Sequence, residues 1–158
     1  MHNNFEEPIV KELHHIVKDY VGIMNKQIQQ KTGLDRHGYL LLLIAENVVV
    51  PTQKELAKFM DLDKVTINRM VDHLIQTGFI TKEKDGTDKR IQILKPTEKG
   101  TLAAPEIRSI IRNLNEVAIK DIPVEQLESF FQTLLTIKSN YKDMPKIPLV
   151  YAFSKFNQ

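Results

Sequence analysis

Six consecutive residues, Lys64-Val65-Thr66-Ile67-Asn68-Arg69, carry the groups in this chain best suited to reading a nucleic acid. A threonine hydroxyl donates or accepts, an asparagine amide matches the adenine edge, and a guanidinium matches guanine or a phosphate. Lys64 suits a phosphate. Val65 is apolar on a face that should be wet, so a thymine methyl or the preceding turn is its natural neighbour. His73 and Gln76 lie further along, where a DNA backbone would be nearer than the bases. A second group comes within a few residues. Lys82, Lys84, Lys89 and Arg90 flank the turn Asp85-Gly86-Thr87-Asp88. From a hairpin tip, Lys89 or Arg90 could enter a minor groove, whose negative potential attracts cations. A charged hairpin alone is more often merely solvated; its place directly after the polar-faced segment favours contact.

These groups need a rigid support, and the pattern around them supplies one. Ile67, Met70, Val71, Leu74 and Ile75 recur at the spacing of one buried helical face. That leaves Val65, Arg69, Asp72 and Gln76 on the opposite side, with Thr66, Asn68 and His73 on the flanks. Asp63 can cap this helix, and Gly78 sits where a glycine cap ends one. Upstream, Thr52-Gln53-Lys54-Glu55 has capping-box spacing and opens a short helix to about Met60. Two helices joined by a short turn, the second with a polar outer face, form a helix-turn-helix. Phe79–Lys84 and Lys89–Lys95 read as paired strands, closed by Pro96, with Thr97 capping the next helix.

The flanks read as helices. Residues 8 to 31 carry Ile9, Leu13, Ile16, Val17, Tyr20, Met24 and Ile28 at spacings of three and four. Asp35 can cap a second helix over 36–46, apolar all round from Leu40 to Ile44 and therefore central. Val48–Val50 reads as a short strand ending at Pro51. A long helix runs from Thr97 to about Lys120, with Pro105 expected to kink it or delay its start. A last helix runs from Pro123 to about Lys142. The stripes at 9–28, 107–117 and 127–141 suit a bundle, formed between two chains or folded within one. The tail from Pro145 is apolar and should dock on something. The expected fold is mainly α with a small β-hairpin wing, an α+β winged helix-turn-helix flanked by terminal bundle helices.

Composition sets the bounds. The chain has 158 residues, 42% of them hydrophobic, enough for a real core. There is no cysteine, which excludes disulfides and thiol redox chemistry. No apolar run is long enough for a membrane span, and the acidic start lacks a cleavable signal pattern, so a cytoplasmic location is expected. The net charge is only +2, but residues 51–100 hold ten Lys/Arg against eight Asp/Glu, so the whole surplus lies in the helix-turn-helix region. Phosphate binding depends on where charges sit rather than on their total. No nucleophile stands beside a base at motif spacing, and there is no phosphate-cradling glycine loop or zinc-ligand spacing, so neither an enzyme nor a cofactor is expected. A winged helix that binds another protein is the alternative to DNA.

The element order and local motifs resemble the multiple antibiotic resistance regulator (MarR) family. The match is densest over residues 52–100. It includes Gln53/Glu55/Leu56/Ala57, then Thr66/Ile67/Asn68/Arg69/Val71/Asp72/Leu74. Gly78/Phe79/Ile80, Asp88/Arg90 and Thr97/Gly100 complete it. Pro96 departs from the family's usual leucine, which would end the last strand early. The aromatic-rich tail is longer than the family core. The resemblance implies a homodimer that binds a pseudo-palindromic operator in double-stranded DNA, by family habit as a repressor. It implies residues 35–100 as the DNA-binding lobe, with 1–34 and 101–158 as dimerisation helices and tail. DNA would be held by Lys64, Val65, Thr66, Asn68, Arg69, His73, Lys82, Lys89 and Arg90, with Asp88 orienting Arg90 through a salt bridge. It further implies a small aromatic or anionic effector between lobe and bundle. His14, His15, Tyr20, His37 and Tyr39 are candidates to line such a crevice, and ordinary packing is the favoured explanation for each.

Overall fold

The computed structural model describes residues 10–47, 51–84, 86 and 90–144. The chain forms two compact units, one ending at Ala118 and the other beginning at Ile119. The first contains α1 (Val10–Thr32), α2 (Gly38–Ala45), α3 (Gln53–Phe59), α4 (Lys64–Gln76), β1 (Ile80–Lys84), β2 (Gln92–Pro96) and α5 (Glu98–Ala118). The second contains α6 (Val124–Asn140). The strand expected at Val48–Val50, the wing-tip residues Asp88 and Lys89, and the tail from Pro145 lie outside the described residues.

The core of the first unit gathers around α2. Leu40 to Ile44 are all buried, as a helix without a polar face must be. Met24 and Ile28 of α1, Leu56 of α3, and Ile67, Val71 and Leu74 of α4 join them. So do Phe79, Ile80, Leu94, and Ala103, Ala104, Ile107 and Ile110 of α5. The periodicity read from the sequence therefore marks the buried faces correctly. The stripes continue past this core: Ile16 and Val17 of α1 are 62% and 59% exposed, and Val117 of α5 is 70% exposed. In α6 no described residue is buried, and Val124, Phe130, Phe131 and Leu135 face outward.

Three expectations about boundaries need correction. Asp35 does not cap α2. The cap position is held by His37 in a left-handed conformation (φ 64°) with no side-chain cap bond, and the helix starts at Gly38. The second strand begins at Gln92 rather than Lys89 and continues through Pro96, which pairs with Ile80. Proline is tolerated there because the ladder ends there, and the next amide, Thr97 N, donates to Phe79 O at 3.0 Å. Pro105 neither starts nor stops a helix: α5 runs through it from Glu98 to Ala118. Tertiary packing outweighs the local penalty, since Ala103, Ala104 and Ile107 are buried on either side.

One junction ties the hairpin to α5. Gly78 turns the chain with φ 76°, a conformation glycine adopts freely. Thr97 Oγ1 donates to Gly78 O at 2.7 Å and accepts from Gly100 N at 3.1 Å, so one side chain closes the loop and caps the helix. Gly100 lies against the Phe79 backbone, where an added Cβ would come within 2.1 Å of the carbonyl oxygen. The glycine of the closing Thr-x-x-Gly motif is thus a matter of contact distance. Gly100→Ala should lower the free energy of unfolding by about 3 kcal/mol, at the top of the range for overpacking. Urea denaturation would show this as a lower midpoint, and an unchanged midpoint would refute the contact.

Candidate nucleic-acid interface

The turn from α3 to α4 begins with Met60, passes Asp61 in a left-handed conformation (φ 53°), and returns through Leu62 N donating to Ala57 O at 2.9 Å. Asp63 then caps α4. Its Oδ1 accepts from Val65 N and Thr66 N, each at 2.8 Å, and its Oδ2 accepts from the Thr66 hydroxyl at 2.7 Å. The Thr66 hydroxyl bond, followed by the two backbone amides, holds the Asp63 carboxyl below its usual pKa. Thr66 has therefore committed its one donor to the cap. What it can offer outward is lone pairs and a methyl group, narrower than the donor-or-acceptor role read from its type.

Lys64, Val65 and Arg69 are exposed on the side of α4 opposite Ile67, Val71 and Leu74. Val65 is 59% exposed, so it does not pack into the preceding turn. Arg69 has no ion-pair partner among the described residues. Asn68 is half-buried and borders a groove of about 460 Å³ between α3 and α4, lined by Gln53, Lys54, Ala57, Lys64 and itself. Its Oδ1 accepts from Gln53 Nε2 at 2.8 Å. The capping box that opens α3 has its amide half in place, with Glu55 N donating to Thr52 Oγ1 at 3.2 Å.

Two residues expected at the DNA surface have other partners. His73 turns toward the loop before α2: Nε2 lies 2.7 Å from Asp35 Oδ1, Nδ1 lies 3.4 Å from Arg36 Nη2, and the ring meets His37 edge-on at 5.3 Å. Its side chain is only 14% exposed. A helical flank position left its direction open, and the polar residues at 35–37 settle it. Lys82 reaches back from β1 to Asp72 of α4 at 3.6 Å, making it a strut between wing and helix. On the same hairpin Lys95 pairs with Glu83 at 2.6 Å. Arg90 and Lys84 are exposed.

The five side chains proposed for an effector crevice fall into local groups, with Tyr39 near Tyr20 and His14 beside His15. His14 and His15 are ring neighbours at 6.2 Å, with His15 4.0 Å from Glu12. Tyr20 donates to Asn115 Oδ1 at 3.0 Å. Partial burial, then the nearby Tyr39 hydroxyl, raises its pKa. His37 belongs to the His73 cluster. Burial first, then the charges of His73 and Arg36, lower its pKa against the opposing pull of Asp35. The described residues contain no group of three or more acidic or histidine side chains arranged to hold a metal ion.

Comparison with known proteins gives the same region prominence. Residues 38–92 match the model of the MarR family. The uncharacterized HTH-type transcriptional regulator YybA of Bacillus subtilis (strain 168) is 32% identical over 133 residues, covering 84% of this chain and 87% of that one. The crystal structure of the transcriptional regulator SlyA superposes with a TM-score of 0.73 at 26% identity, over 85% of this chain and 94% of that one. A MarR-family regulator from Listeria monocytogenes, solved in complex with a 26mer DNA, gives 0.72 at 25% identity, over 87% and 91%.

The Asp35–His73 bond carries a pH test. Desolvation alone would raise the Asp35 carboxyl, but the His73 hydrogen bond and charge, with Arg36, outweigh it and hold the pKa below its usual value. A depressed carboxylate stabilises the fold above its unfolded pKa, and that contribution fades as pH falls through the folded one. Asp35 is nearly half exposed, so solvent screening keeps the effect in the range of exposed pairs. Asp35→Asn should cost roughly 0.2–1 kcal/mol at neutral pH, and the gap from the unaltered chain should close below about pH 4. Paired thermal melts across that range would show it; a gap that is constant with pH would contradict it.

Proposed function

The chain belongs to the MarR family, and from that premise we propose that it is a dimeric, sequence-specific DNA-binding transcriptional regulator that reads its operator with α4. The observation that carries this reading is the two-sided character of α4. Ile67, Val71 and Leu74 are fully buried, while Lys64, Val65 and Arg69 stand exposed on the other side at the start of the helix. The N-terminal turns of a recognition helix come closest to base edges in the major groove. The DNA bound by the Listeria monocytogenes relative supports the same use of the fold. A regulator of this family is not an enzyme, in keeping with a sequence that sets no nucleophile beside a base.

The roles divide by chemistry. Arg69 reads a base edge, Thr66 and Val65 meet acceptor-tolerant and methyl positions, and Lys64 meets phosphate. From the wing, Arg90 and Lys89 approach the minor groove, with Asp88 orienting Arg90. His73 and Lys82 act behind the interface by holding α4 to the α1–α2 loop and to the wing.

One α4 covers few base pairs, so two copies related by a two-fold would bind a pseudo-palindrome with half-sites one helical turn, about 10 bp, apart. Residues 35–100 form the reading lobe in this proposal, and 1–34 with 101–158 form the dimerisation part. Apolar side chains left exposed on α1 and α6 support it, because unpartnered apolar patches mark interaction surfaces. The regulator would act as a repressor by covering a promoter, relieved when a small aromatic or anionic effector shifts the population away from the DNA-competent spacing. No helix among the described residues is long and apolar enough to cross a membrane, and a protein that binds the genome works in the cytoplasm.

Electrophoretic shifts with genomic fragments at several salt concentrations test the proposal. A specific complex that weakens with added salt is expected. Failure to form one at low salt would refute DNA binding. Arg69→Ala should cost about 1–3 kcal/mol on the preferred site and relax its sequence preference. Arg90→Ala should weaken all duplexes alike and reduce the salt slope by about one. If both variants keep the parent affinity, the assigned surface is wrong.

A further inference from the structure

The outer face of α4 has two flanks, and a different segment is tied to each. Successive helical residues are about 100° apart, so Asp72 lies about 60° to one side of Arg69 and His73 about 40° to the other. Asp72 holds the wing through Lys82 at 3.6 Å. His73 holds the α1–α2 loop through Asp35 and Arg36. A guanidinium cannot accept a hydrogen bond, so the 3.4 Å contact with Arg36 Nη2 makes His73 Nδ1 the acceptor and Nε2–H the donor to Asp35. The Asp35 carboxylate is thus bonded to His73 at 2.7 Å and lies 3.8 Å from the Nε end of Arg36. Nη1 of Arg36 has no hydrogen-bond partner among the described residues, and the side chain is 59% exposed. The loop beneath it is fixed at both ends. Leu34 is fully buried, and Gly38 lies against Ile28, where an added Cβ would come within 2.6 Å of the side chain. Arg36 therefore sets a second guanidinium beside α4, at a residue one turn, about 6 Å, beyond Arg69.

We propose that Arg36 is a phosphate anchor, positioned by His73, that grips the DNA strand on the side of the major groove opposite the wing. A recognition helix in the major groove runs between two backbones. The wing passes one of them on its way to the minor groove, and Arg36, tied to the opposite flank of α4, faces the other. A guanidinium takes phosphate oxygens through paired N–H groups. The neighbouring carboxylate is engaged by His73 and stands at the Nε end, which leaves the Nη end for phosphate. A contact of this kind carries no sequence information; it fixes the register in which Arg69 meets the base edges. The inference rests on DNA binding through α4 and deepens it by adding a segment outside the helix-turn-helix and the wing.

Fluorescence anisotropy titrations on a genomic fragment bound by the unaltered full-length protein, repeated over a range of salt, test this. Arg36→Gln removes the charge and should weaken all duplexes alike. The lost contact should reduce the salt slope by about one per protomer. The ratio of parent to variant affinity should therefore shrink about 3.5-fold per protomer between about 50 and 200 mM salt. Arg36→Lys keeps the charge and should keep the parent slope. Ethylation interference then locates the contact. Phosphates whose ethylation harms the parent but not Arg36→Gln should lie on the strand across the major groove from those lost in Arg90→Ala. The proposal is overturned if Arg36→Gln lowers affinity equally at every salt concentration, as a loss of loop structure would. It is also overturned if Arg36→Lys has the slope of Arg36→Gln, or if the Arg36 and Arg90 variants lose the same phosphates. If the unaltered protein forms no salt-sensitive complex with any fragment, DNA binding falls and takes this inference with it. If it forms one whose slope and interference pattern Arg36→Gln leaves unchanged, only this inference falls.

Discussion

A helix can hold a side chain up to a base edge only if its opposite face is fixed. Here that work is done by the burial of Ile67, Val71 and Leu74 against the α2 core. Each fully buried aliphatic side chain contributes about 1.5–3 kcal/mol. That is large compared with the polar contacts on the outer face, so the orientation of α4 is set from inside. The outer residues are then free to be chosen for recognition. The same core also anchors the hairpin through Phe79, Ile80 and Leu94, so helix and wing share one support. The Gly100 contact with the Phe79 backbone and the Thr97 bonds close that support onto α5.

Charge is divided between structure and recognition in the same way. A net charge of +2 is small for a nucleic-acid partner, and several cations near the interface are already engaged. Lys82 is bound to Asp72, and Lys95 to Glu83. Lys99 donates to Thr77 O at 2.9 Å at the end of α4 and lies 4.0 Å above the Phe79 ring. A cation there complements the negative end of the helix dipole. Counting these with Lys64 and Arg69 would confuse two jobs. The engaged lysines fix the shape of the lobe, and the exposed ones on α4 give the shape its potential. Net charge reports neither.

Much of this was legible in the sequence because it is local. Helix faces emerge from spacings of three and four, and the caps Thr52, Asp63 and Thr97 bond residues two or three positions away. What escaped is what depends on tertiary distance. Asp35 has the composition of a helix cap, and its bond to His73 spans 38 residues, so nothing near it in the chain announces the choice. Gln53 reads naturally as part of a capping box, and only the crossing of α3 and α4 brings it to Asn68. Lys82 and Asp72 belong to different elements whose pairing depends on how the hairpin twists. The continuation of α5 through Pro105 is the reverse case, a strong local signal overridden by burial on either side.

The tertiary bonds that were hard to foresee constrain how this lobe can be regulated. α4 is held at its start by the Asp63 cap, in its middle by His73 to Asp35 and Asp72 to Lys82, and at its end by Lys99. Sliding or rotating α4 alone would break polar contacts to four other segments, counting Gln53 of α3, and disturb a fully buried apolar face. Moving the lobe as a body breaks none of these. Well-packed interiors resist continuous deformation, so the lower-energy response is a rigid displacement of α4 together with the elements that hold it. In the dimer proposed above, a controlling signal would therefore act on the spacing between copies, at the surfaces outside this core. Those are the surfaces where α1 and α6 leave apolar side chains uncovered.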